Sequence, residues 1–361
     1  MSARRMNLIL GPQDASISVY IALKSSSLDR IEFLDDDSIG RLFSSSPVLE
    51  DLSETLCEQK DISVFKISAP ALKIFIINCY VNVESKYKIV LNTPNLQQLT
   101  YNGYAVEGYS VSNINSYVKA NFGLSRIGVR DLAVAEFFEG IASRVQWLHL
   151  SNATVQTLEW YSYPLPKFHC STYLELGEMY VTWKLLLDLL NNSLQLETLT
   201  FWALSRPRDE DHPSHWYPPE NVHSCFSFHL KVIKIKWFVG EDYEIKMAQY
   251  FLKNAKVLKK LMIHPTSSKE LDVYNKLLLL ARSSKTSAIE QIVFVMVSNP
   301  KQKLIFIVDA YDIIKTFIKR AQMGSSSRVQ MVVANLVRVD NPSTLLREVK
   351  KLSLQADPTG L

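Results

Sequence analysis

The sequence predicts an α/β chain. A row of short repeats, each giving one strand to a parallel sheet, is followed by a small α/β cap. Three observations carry this expectation. One phrase recurs: a proline, an apolar anchor two residues on, and a second apolar residue three beyond the anchor. It appears at Pro47–Leu52, Pro70–Phe75 and Pro94–Leu99, and without the proline at Leu196–Leu199 and Leu258–Leu261. The early anchors Leu28, Leu49, Leu72 and Leu96 follow one another at 21, 23 and 24 residues. A polar, proline-rich stretch at 205–220 then interrupts the pattern, and strand and helix signals alternate beyond it.

Taken in order, residues 1–27 form an N-terminal edge segment. Ile17, Val19, Ile21 and Leu23 alternate there and suit a makeshift edge strand. If that strand leaves the first repeat uncovered, Leu28, Ile31 and Phe33 face water, and self-association through the N-terminal end is expected. Residues 28–204 read as an irregular solenoid whose period falls in the leucine-rich-repeat range. A single unit cannot bury its own inward leucines, whereas stacked units merge them into one spine. Asp36–Phe43 has helical spacing, with Ser38 as its cap. Weaker units follow near Asn115–Ala120, at Val145 and at Tyr173–Leu176. The returns between strands look irregular or short. An ordinary α/β domain, with helices of about 10–15 residues, remains the alternative.

Residues 205–220 read as a linker loop. In residues 221–297, strand-like Leu230–Phe238 leads to a helix over Glu244–Asn254, with Ile245, Ala248, Phe251 and Leu252 on one face. A strand at Leu258–Ile263, a helix over Lys269–Ala281 and a strand at Ile289–Val297 follow. Residues 298–361 match no pattern, although Tyr311–Gln322 suits a helix and Val329–Val339 a strand.

Hydrophobic residues make up 47% of the chain, enough for a substantial core. With 40 basic against 36 acidic residues the chain lacks the strong basic excess of a nucleic-acid binder. Cys57, Cys79, Cys170 and Cys225 are scattered and read as reduced thiols of an intracellular protein. The N-terminus makes a poor signal peptide, and no apolar run approaches the roughly 18–20 residues of a membrane span. A cytoplasmic or nuclear protein, neither secreted nor membrane-bound, is expected.

Phosphate-loop, GxSxG, HExxH and GxGxxG motifs are absent. His212, His215, His223 and Cys225 lie close in sequence, but a proline-rich loop does not supply the paired short spacings of zinc sites. Asp35 to Asp37 with Gly40 imitate half a calcium loop, yet Ile39 and Ser46 stand where two of its ligands belong. These acids are better read as a turn favouring the helix that follows. We therefore expect no enzyme, no metal and no cofactor. The expected function is a protein-interaction module, with its partner on the concave sheet. The outward residues Lys73, Gln97, His149, Glu197 and Thr200 are its candidates. Eight lysines against three acids between Lys231 and Lys260 add Lys234 and Lys236, which alternate with Ile233 and Ile235. Their alternative role is to solvate an exposed sheet face.

The phrases SPVLEDL, SAPALKIFII and TPNLQQLTYNGY resemble the repeats of plant F-box/LRR proteins. Trp216, Pro218, Val222, Cys225, His229 to Lys231 and Phe238 to Gly240 resemble the opening of the FBD domain that ends many of them. Glu244–Ile263 resembles that domain's middle, and Ser284 to Ser287 its end. The resemblance implies the substrate-recognition part of a receptor for an SCF-type ubiquitin ligase. The family's N-terminal F-box, which docks on a Skp-type adaptor, has no counterpart in these residues, and His223 replaces a usual proline. No adaptor binding is then expected. The alternative is a truncated or misassembled member of the family with no independent function.

Overall fold

Every recurring phrase begins with a turn. In the computed structural model the amide of Leu49 donates to the carbonyl of Ser46, Leu72 to Ala69, Leu96 to Thr93, Leu196 to Ser193 and Leu258 to Ala255, at 3.1–3.2 Å. Pro47, Pro70 and Pro94 hold the second turn position, where a φ fixed near −65° fits and no N–H is required. The first position is small and buried in each case. The chain then enters a strand, and its first two amides converge on one carbonyl of the preceding unit. Lys24 O accepts from Glu50 and Asp51, Glu50 O from Lys73 and Ile74, Lys73 O from Gln97 and Gln98, and Thr172 O from Glu197 and Thr198.

The structure describes residues 24–33, 35–56, 62–80, 87–125, 131–161, 165–180, 183–205 and 224–266, and the strands at 9–10, 291–299 and 302–309. The chain divides into two compact units, residues 1–230 and 231–361.

In the first unit β1 (Ile9–Leu10) pairs in parallel with β3 (Glu32–Phe33). The main parallel sheet runs β2 (Ser25–Asp29), β4 (Asp51–Leu56), β6 (Ile74–Cys79), β8 (Gln98–Gly103), β10 (Val118–Leu124), β11 (Val145–Leu150), β12 (Tyr173–Tyr180) and β13 (Thr198–Ser205). Its register aligns Leu52, Phe75, Leu99, Ala120, Leu148 and Leu174 in one inward row. Each is at most 1% exposed. A fully buried leucine contributes about 1.5–3 kcal/mol, so these rows hold the sheet to the layer behind it.

That layer changes character along the chain. The early returns are themselves strands, β5 (Val64–Ser68), β7 (Lys88–Asn92) and β9 (Gly108–Ser112), paired in parallel. Helix α1 (Asp36–Ser44) precedes them, and α2 (Asp131–Ala142), α3 (Asn152–Tyr161) and α4 (Trp183–Asn191) serve the later units. Short α5 (Ser224–Phe228) closes the described part of this unit, with Cys225 and Phe226 buried. Aromatic rings fill the seam. Phe65 meets Phe33 and Phe43 edge-on at 5.7 and 6.4 Å, and Tyr109 lies flat on Phe137 at 4.2 Å.

Several expectations need correcting. Leu28 is not the first anchor. It pairs with Glu54, five positions beyond Leu49, so the 21-residue interval compared unlike positions. Leu28, Ile31 and Phe33 are 4%, 0% and 1% exposed, which removes the apolar patch on which N-terminal self-association was argued. Ser38 does not cap α1. Asp35 does, accepting from the Ser38 amide at 2.6 Å, while Asp36 accepts the Ser63 and Val64 amides that open β5.

In the second unit β14 (Val232–Phe238), β15 (Lys260–Pro265) and β16 (Gln291–Asn299) are parallel, and β17 (Gln302–Asp309) returns antiparallel. Lys231 O accepts the amides of Lys259 and Lys260, the same forked bond as in the repeats. Helix α6 (Asp242–Asn254) buries Glu244, Met247, Ala248, Phe251 and Leu252. Ile245, expected on that face, is only half-buried. Glu244 turns its carboxylate back onto the amides of Val239, Gly240 and Glu241 and thereby shapes the helix start. The expected elements at 269–281, 311–322 and 329–339, and the 205–220 linker beyond Ser205, lie outside the described residues.

Candidate interaction surface

The inward leucines fix which residues point the other way. Across β10–β13 the opposite face presents Asn121, His149, Glu175 and Thr200 in one rung, and Lys119, Trp147, Tyr173 and Thr198 in the next. Adjacent strands lie about 4.8 Å apart, so each rung places its side chains in contact range. Trp147 stacks on His149 along its own strand (5.9 Å, 21°) and on Tyr173 across the sheet (5.6 Å, 24°). Lys119 Nζ sits 4.2 Å above the Trp147 ring, within cation–π range. The Tyr173 hydroxyl and Thr200 Oγ1 are 3.1 Å apart. Trp202, 39% exposed, donates its indole N–H to Glu175 Oε1, and His149 Nδ1 stands 4.0 Å from Glu175 Oε2. That gap is too long for a hydrogen bond and becomes an ion pair only when the imidazole is protonated.

These groups hold one another in place. Glu175 is 6% exposed and Thr200 fully buried, while Trp147 and Tyr173 keep part of their rings at the surface. Large, partly exposed aromatics with polar tips, fixed by hydrogen bonds, suit protein contacts because little side-chain freedom is lost on binding. Among the described residues no three or more metal-ligating side chains cluster, and no helix is long and apolar enough to cross a membrane.

The sequence candidates are only partly gathered here. His149 and Thr200 share a rung, separated by Glu175. Lys73 and Gln97 lie one residue before their strands, on the margin of the sheet. Lys73 Nζ binds Glu50 Oε2 at 3.0 Å, and Lys24 binds the other oxygen at 3.3 Å. Those two lysines, Lys73 first, hold the Glu50 carboxyl below its usual range. Gln97 is exposed and Glu197, at the corresponding margin of β13, is half-exposed. Lys234 and Lys236 belong to the second unit and are half-exposed, alternating with buried Ile233 and Ile235. Trp147, Tyr173, Glu175 and Trp202 were missed, although each occupies an outward slot of a recognisable strand. Cys225 is buried, which pushes its thiol up to about 12, and His212, His215 and His223 lie outside the described residues.

Residues 218–263 match the FBD family. The chain is 25% identical to an F-box/FBD/LRR-repeat protein of Arabidopsis thaliana over 67% of its length and 55% of that protein's. It is 30% identical to an F-box/LRR-repeat protein of the same plant over 74% of its length and 61% of the relative's. To another F-box/FBD/LRR-repeat protein from that plant it is 27% identical over 78% of its length and 63% of the relative's. The chain thus spans less than two thirds of these relatives. No solved structure matches it at comparable significance.

Proposed function

We propose, from the premise that this chain is a relative of Arabidopsis F-box/FBD/LRR-repeat proteins over most of its length, that it is a protein-binding module. In this reading residues 28–204 act as a leucine-rich-repeat solenoid and residues 221–297 as its FBD-like cap. The open sheet face selects a protein, as the substrate-recognition part of an SCF-type ubiquitin-ligase receptor would. The aromatic rungs formed by Trp147, Tyr173 and Trp202 around Glu175 carry this proposal.

Photocrosslinking tests it. A crosslinking amino acid is placed at Trp202 or His149 on the open face, or at Lys66 on the return strand β5. In plant extract the first two are expected to capture the same protein, and Trp147→Ala is expected to reduce that capture at least tenfold at a temperature where the variant is still folded. Capture only from Lys66, or no effect of Trp147→Ala, refutes the assignment. Accumulation of the captured protein when the chain is depleted distinguishes turnover from simple binding.

A further inference from the structure

Glu54 breaks the rule of the inward rows. Its rung contains Leu28, Ile77, Tyr101, Phe122, Leu150 and Leu176, and its own strand places Leu52 and Leu56 on either side. The side chain is 0% exposed, and neither carboxyl oxygen has a hydrogen-bond partner. From β2 the titratable neighbour is Asp29, whose charge has the same sign. From β6 it is the buried Cys79 thiol one rung on, 3.7 Å from the Tyr87 hydroxyl that the return layer contributes. None of these supplies the positive charge that an ionised carboxylate would need here. Burial, with Asp29 adding to it, pushes the Glu54 carboxyl well above the usual carboxylate range.

The packed arrangement therefore needs a proton that a hydrated carboxyl gives up near pH 4.3. A solvated Glu54 is ionised at neutral pH, and it becomes solvated only if strands β2, β4 and β6 separate from the layer behind them. We infer that these first strands form a proton-gated segment, shut while Glu54 is neutral and opening locally when its proton is lost. The direction follows from linkage. A folded-state pKa above the unfolded value gives stability that is complete below the unfolded pKa and is lost as pH rises through the folded one. One proton released per opening makes the opening constant rise about tenfold per pH unit within that window.

Amide hydrogen exchange of the full chain between pH 5 and 8, corrected for intrinsic exchange chemistry, reads this directly. Peptides covering 51–56 and 74–79 are expected to lose protection as pH rises, by at most about tenfold per pH unit, while 198–205 stays flat. Glu54→Gln is expected to abolish the slope. Flat protection at 51–56, an equal slope at 198–205, or an unchanged slope in Glu54→Gln overturns the inference. If Glu54→Gln does not fold, the contrast between 51–56 and 198–205 in the unmodified chain still decides.

Discussion

Leu99 and Gln98 are consecutive on β8 and face opposite ways. Leu99 is 0% exposed, between Phe75 and Ala120 in its row, whereas Gln98 is half-exposed on the other face. Leu99→Asp removes a buried side chain, and Leu→Ala changes in packed cores cost about 2.7–5 kcal/mol. It also leaves a buried carboxyl without a partner, adding about 1–3 kcal/mol even when protonated. A total of about 4–8 kcal/mol compares with the 5–15 kcal/mol that typically holds a domain together. Most of the Leu99→Asp protein should be insoluble, with any soluble fraction unfolding at much lower urea. Gln98→Asp should stay within about 0.5 kcal/mol of the parent, as surface changes usually do. Soluble yield and urea midpoints of the two variants are the assay. Equal behaviour would refute the assignment of Leu99 to the inward row and Gln98 to the outward one.

Gly103 closes β8 at φ 111°, and a Cβ there would lie 2.0 Å from the carbonyl oxygen of Cys79. Gly103→Ala should therefore cost about 2 kcal/mol or more and lower the melting temperature by several degrees. Glu244→Ala removes the carboxylate to which the amides of Val239, Gly240 and Glu241 donate, and a loss of about 1–3 kcal/mol or more should appear in thermal unfolding. Glu244→Gln should lose less, because burial already raises this carboxyl and one amide acceptor survives.

The main sheet was legible because its signal is local. Pro47, Pro70 and Pro94 mark turns, and an anchor followed by alternation is enough to set the strand phase. The return strands were not legible. Phe65 and Ile67 alternate over only five residues, too few to separate a strand from an irregular return when its partner lies a full repeat away. Leu28 misled because β2 has no proline ahead of it to mark the turn. The candidate surface was half legible. Any outward slot tolerates polar residues, so periodicity brings attention to His149 and Thr200 but does not rank them against their neighbours. Trp147, Tyr173 and Trp202 become a group only when the register brings three consecutive strands together. Glu54 was invisible for a related reason: an acid in an inward slot reads as a break in phase, not as a buried charge.

The forked carbonyl at the entrances of β4, β6, β8, β13 and β15 has an evolutionary consequence. At the fork itself the joint uses main-chain atoms: one acceptor takes two successive amides, whether the residues are lysine, glutamate or threonine. Such a joint is blind to side chains. A segment duplicated or deleted from one proline turn to the next can close the ladder again with the same atoms, provided its inward slots match in size. Gene lineages built this way can lengthen or shorten by unequal exchange while the outward slots diverge freely, so the number of units and the chemistry of the outward face are able to drift independently.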